Sequence, residues 1–135
     1  MTTVLSVFGL CYLFGWSFVG LYLGLKHESH LEELESSAKK GNLTDYFGTW
    51  SAWKMHAGAH AHALLLAVIC IIVALIMPQI GLTDMAKTIL GVLLIVGTVL
   101  ASVFHWFYFK PLVGLGSVLF LIGILMTIVG FVKGL

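Results

Sequence analysis

The chain has 135 residues, 60% of them hydrophobic and 10% charged, with a mean hydropathy of +1.07, far outside the range of a soluble domain. A formal net charge of +1 without a single arginine argues against nucleic-acid binding and against a polybasic sensor of anionic lipid. All six acidic residues fall in loops or at the ends of apolar runs, which argues against a di-iron carboxylate enzyme and a carboxylate proton relay.

Four apolar runs, at 4–25, 57–80, 85–109 and 112–132, each reach the roughly 20 residues that cross about 30 Å of hydrocarbon as a helix. None alternates as a barrel strand does. The expectation is an all-α integral membrane protein with one domain over 1–135, a four-transmembrane-helix bundle with spans at 4–25, 52–77, 85–109 and 112–132. In a prokaryote it would sit in the inner or plasma membrane. The first run lacks a basic segment before it and a small-x-small cleavage site after it, so it reads as a span that stays. Within it, Ser17, Gly20 and Gly24 form a small-residue stripe suited to close helix contact.

A polar loop at 26–50 follows, and it is expected to carry a short amphipathic surface helix between helices 1 and 2. Ser29 with Glu32 fits a capping box. Glu32, Glu33 and Glu35 then precede Lys39 and Lys40, in the order that suits a helix dipole, and Gly41 sits where a C′ glycine belongs. Leu31, Leu34 and Ala38 supply the apolar face. Asn42-Leu43-Thr44 matches a glycosylation sequon, a short pattern that is common by chance. Tyr46, Phe47, Trp50 and Trp53 read as an interfacial aromatic belt.

Pro78 should end the second span, and the short turn to Thr83 makes the third antiparallel to it. Trp106-Phe107-Tyr108-Phe109 mark the exit of the third span, and Lys110-Pro111 turn the chain into the fourth. There Gly116, Gly123 and Gly130 recur every seven residues, a seam for a helix of this chain or of a second copy. Cys11 and Cys70 lie within spans and read as small apolar fillers. This topology puts Lys26, Lys39, Lys40, Lys54 and Lys110 on one side, against Lys87, Lys133 and the N-terminal amine, so that first side is expected to be cytoplasmic.

The six histidines all fall on that lysine-rich side, and imidazole inside a membrane is costly and usually functional. In the second span His56 and His60 share a face that continues through Ala63, Ala67, Cys70 and Ala74. His62 lies roughly opposite His60 and continues into bulky Leu65, Ile69, Val73 and Ile76. In the third span His105 shares a small-residue stripe with Gly91, Thr98 and Ala101. With Lys54 and Lys110 as interface markers, His60 and His105 both lie on the order of 8 Å deep, and His56 about 3 Å. Two imidazoles at equal depth on adjacent helices are suited to one metal centre. His27 and His30 read as polar loop groups.

The sequence therefore leads to a haem b, or another tetrapyrrole, held by His60 and His105, with Ala57, Gly58, Ala59, Ala61 and Ala63 leaving room and Trp53, Trp106 and Phe107 as walls. No Cys-x-x-Cys-His is present, which argues against covalent c-type haem. The segment Ala59-His60-Ala61-His62-Ala63 resembles one helix of the haem–copper oxidase catalytic subunit, in which two histidines separated by one residue ligate haems on opposite sides. The resemblance covers five residues, and this chain lacks that family's many other spans and its copper-binding histidines. It implies that His60 would serve an internal haem and His62 a second haem or pigment at a subunit contact. A copper, zinc or iron site from His56, His60 and His105 is the metal-ion alternative.

No nucleophile–base pair or phosphate loop suggests a stand-alone enzyme. The functional expectation is a small cytochrome-like membrane protein, in a homo-oligomer or as a subunit of a larger membrane complex, exchanging electrons with a quinone or redox partner. The alternatives are a non-catalytic accessory subunit of a respiratory or photosynthetic complex, and a membrane copper-binding protein.

Overall fold

A computed structural model describes residues 1–135, and it is all-helical. Four helices follow in order: α1 (Thr2–Lys39), α2 (Leu43–Ile76), α3 (Asp84–Trp106) and α4 (Lys110–Gly134). Each is long and apolar enough to cross a membrane.

The separate surface helix between the first two spans is not formed. Instead α1 runs unbroken from Thr2 to Lys39, through Ser29 and the acidic residues. No Gly or Pro lies between Leu25 and Lys40 to stop it. Its charged residues are good helix formers, and Glu35 pairs with Lys39 one turn on at 2.6 Å. Ser29 therefore sits mid-helix rather than as a cap. The helix ends where Gly41 takes a left-handed φ of +67°, with the Gly41 N–H on the Ala38 carbonyl and the Asn42 N–H on that of Ser37. These two bonds make a Schellman motif.

Asn42 of the sequon is the N-cap of α2. Its side-chain oxygen accepts from the Asp45 N–H at 3.2 Å and its amide donates to the Asp45 carboxylate at 2.5 Å. So α2 begins at Leu43, well before the expected start near 52, and Trp50 and Trp53 lie in its first turns.

Length has a topological consequence. The rings of Trp16 and Trp106 meet at 6.0 Å, so the last turn of α3 is level with Trp16. The remainder of α1, residues 17–39, rises roughly 35 Å past that point, paired with the start of α2. The molecule is thus a membrane bundle with one antiparallel helical hairpin standing beyond it.

Small residues set the packing. On α2, Ala59, Ala63, Ala67, Cys70 and Ala74 are buried, the stripe expected from the sequence with Ala59 added. On α3, Gly91, Thr98 and Ala101 are buried, as expected. Of the α1 stripe only Gly20 makes a close contact. Ser17 is exposed, Gly24 faces open space, and the backbone approach is made at Gly9 against Ala67 and Ile71.

The seven-residue glycine seam of α4 is used within the chain. Gly116 meets Gly97, Leu100 and Ala101 of α3, Gly123 meets Leu94, and Gly130 meets Ile80 and Leu82 of the preceding turn. That turn follows a 3-10 stretch at Met77–Gln79 containing Pro78, and the Gly81 N–H donates to the Gly130 carbonyl at 2.8 Å. A core of Leu5, Cys70, Ala74, Met77, Leu90, Leu94 and Phe120 draws on all four helices. Outward residues such as Phe14, Phe18, Leu75 and Leu125 are exposed, as lipid-facing positions require.

Candidate functional site

His56, His60, His62 and His105 form a layer at the junction of the bundle and the hairpin, and His27 and His30 lie further up the hairpin. Two-residue spacing on a helix turns successive groups about 200°, so Gly58 and His60 face opposite ways. A Cβ at Gly58 would lie 3.6 Å from His105 Nε2, whereas His60 points at α1, its ring 2.6 Å from where a Gly20 Cβ would be. His60 and His105, expected to converge, therefore belong to different helix interfaces. His62, one turn beyond Gly58, is the imidazole that meets His105, with ring centres 5.2 Å apart and planes inclined by 34°.

The pair has a defined tautomer on one side. His62 Nδ1 lies 2.7 Å from the Gly58 carbonyl oxygen, which can only accept, so Nδ1 carries the proton and Nε2 keeps the lone pair. Ligating histidines are commonly oriented in this way, with the far nitrogen free for a metal. Gly58 has a double role here: its carbonyl holds His62, and its missing side chain admits His105. His62 is solvent- or lipid-exposed and His105 half-buried.

His60 is a separate feature. Its Nδ1 is fully buried without a hydrogen-bond partner. An orphaned buried nitrogen is uncommon in folded proteins and marks a place where a proton, a water or a ligand group belongs.

The remaining imidazoles stack on indoles. His56 lies over Trp106 with ring centres 4.2 Å apart, and Tyr108 meets its edge at 5.8 Å. His30 lies over Trp53 at 4.3 Å with planes inclined by 14°, and His27 approaches the same indole at 5.8 Å. His30 is buried, 9% exposed, in contrast to the expected loop position. Trp53 and Trp106 are therefore walls for His30 and His56 rather than for a macrocycle beside His60. Ala59 and Ala63 are consumed by helix packing, and Phe107 is exposed. No cluster of three or more His, Cys, Asp or Glu side chains has the spacing of a metal site, so His56, His60 and His105 do not form one set.

Two features carried no sequence signal. Tyr108 adopts φ +61° in the turn out of α3, where the Phe109 N–H bonds the Phe104 carbonyl and the Tyr108 N–H that of His105. A Schellman turn normally places glycine there, so a bulky residue stores strain and brings its ring to His56. Deeper in the bundle, Tyr12 bonds Ser102 at 2.5 Å, Ser102 donates to the Thr98 carbonyl at 2.6 Å, and Thr98 meets Cys70 at 3.5 Å. This polar chain ties α1, α2 and α3 together below the histidines.

The chain matches no protein-family model, no curated protein and no solved structure significantly.

Proposed function

We propose that this integral membrane protein holds a redox-active metal centre on the imidazoles of its α2–α3 interface and takes part in electron transfer with a quinone or a partner complex. The observation that supports this reading is the His62–His105 pair, oriented by the His62 bond to Gly58. Haem b and copper are the two centres to be distinguished, since imidazole suits both iron and copper.

The ring separation of 5.2 Å favours a single ion. Two imidazoles binding one tetrahedral ion at about 2 Å have ring centres about 5 Å apart, whereas axial ligands on either side of a haem need about 6 Å. A haem at this pair would require the rings to part by roughly 1 Å, which the exposed position of His62 allows. The excess of lysines around the histidine layer supports a cytoplasmic orientation for that end.

The test is an absorption spectrum of the detergent-purified protein, oxidised and then dithionite-reduced, with metal analysis of the same sample. A Soret band that shifts on reduction identifies haem, and stoichiometric copper without a Soret band identifies the ion. His62→Ala and His105→Ala should each abolish the signal, and His30→Ala should retain it. Loss in His60→Ala with retention in His62→Ala would return the site to the His60 and His105 pairing. A colourless, metal-free protein that co-purifies with a large complex would instead identify an accessory subunit.

A further inference from the structure

A crevice of about 280 Å³ opens where the hairpin leaves the bundle. Tyr22, Lys26, Ser29, His30 and Glu33 line it from α1, and Trp53 and His56 from α2. His30 and His56 both line it, each with one ring face covered by an indole, Trp53 at 4.3 Å and Trp106 at 4.2 Å. His30 is the telling residue: it is 9% exposed, lines the crevice, and no hydrogen bond from the protein engages its nitrogens. The ring is buried but its nitrogens are not, so they are free to bond a polar ligand seated in the crevice.

The lining restricts the ligand's chemistry. Lys26 and Glu33 balance each other, so no surplus positive charge is available for a phosphate group. The neutral donors are the imidazoles, the Tyr22 and Ser29 hydroxyls, and they are set beside an indole wall. They suit a flat, uncharged ring with acceptor oxygens at its edges. Beside the crevice, Leu25 and Tyr22 are 77% and 54% exposed, the upper end of the apolar surface of α1. A hydrocarbon tail would run from the crevice down this apolar face toward the membrane bundle.

We infer that this crevice between α1 and α2 binds the headgroup of a lipid-soluble quinone, with His30 and His56 hydrogen-bonding its carbonyl oxygens. The inference rests on the electron-transfer reading for its choice of ligand. His56 stands six residues before His62, about 9 Å along α2, so the headgroup would lie close to the proposed metal pair.

The experiment is a titration of the full-length protein in detergent with decylubiquinone, read as quenching of tryptophan fluorescence. Saturable quenching at one quinone per chain is expected. His30→Phe and His56→Phe keep the aromatic stacks but remove the nitrogens, and each should weaken binding at least tenfold. The milder Tyr22→Phe/Ser29→Ala double variant should weaken it at least threefold. Non-saturable quenching that is the same in every variant would be partition into micelles and would overturn the assignment. So would displacement of the quinone by phosphatidylglycerol at equal concentration, which would make the crevice a lipid-headgroup site. The His62→Ala/His105→Ala variant should bind decylubiquinone as the wild type does, so a failure of the metal centre leaves this result readable.

Discussion

At Tyr108 a single backbone angle holds the turn between α3 and α4 and sets a ring against His56. A left-handed φ costs a non-glycine residue roughly 1–2 kcal/mol, and more for a side chain branched at Cβ. Tyr108→Asn should therefore be tolerated, whereas Tyr108→Val should lower stability by about 1–2 kcal/mol in thermal unfolding in detergent. Equal melting of the two variants would mean that the turn relaxes out of the left-handed region. Gly58 shows the other residue-scale device, one position that orients His62 through its carbonyl and admits His105 through its missing side chain.

Between elements, the glycines of α3 and α4 are not equivalent. A Cβ at Gly97 would meet the backbone of Phe120 at 2.7 Å and of Gly116 at 2.9 Å, atoms that cannot yield without moving a helix. A Cβ at Gly123 would meet the end of the Leu94 side chain at 2.8 Å, which can rotate. Gly97→Ala should cost about 1–3 kcal/mol, and Gly123→Ala well under that, once the gain in helix propensity is included. Denaturant titration in mixed micelles measures the difference, and the reverse ranking would contradict the α3–α4 contact.

The hairpin carries a pH dependence of its own. Burial pushes the His30 imidazole below its usual value, aided by His27 and opposed by Glu33, while Lys26 and His56 face it across the crevice. A depressed value in the docked state means that stability is complete above about pH 6.5 and is lost as pH falls through the lowered value. Trp53 emission should shift to the red between pH 7.5 and 5.5, and His30→Phe should remove that shift. An unchanged emission in the wild type would show that His30 stays neutral and docked.

For the whole molecule, the decisive feature is unequal helix length, 38 and 34 residues for α1 and α2 against 23 and 25 for α3 and α4. About 20 residues span the hydrocarbon, so the surplus of α1 and α2 must stand in water at one end. Single cysteines at Ser36 or Thr44, in a background without Cys11 and Cys70, should react with a membrane-impermeant maleimide from one side only. Cysteines at Thr2 and Gly134 should react from the other. Labelling of both sets from the same side would refute the four-span topology. The side that labels Ser36 also fixes the orientation of the histidine layer.

Some of this was legible in the chain alone. Four apolar runs without alternation determined four membrane helices, because only a helix satisfies its own backbone groups in lipid. The small-residue periodicity of α2, α3 and α4 likewise determined which faces pack, and Gly41 marked a helix end because it alone there accepts a positive φ without strain. Local pattern failed at Ser29, since a capping box is also compatible with an uninterrupted helix when no breaker follows. It failed too at Asn42, where a sequon and an N-cap look alike. The partner of His105 was beyond reach of periodicity. His60 and His62 lie at nearly the same depth, and the choice between them rests on how far α2 is rotated against α1 and α3. That rotation is set by long-range contacts, Gly9 and Gly20 on one side and Gly58 on the other, and only the tertiary structure decides it.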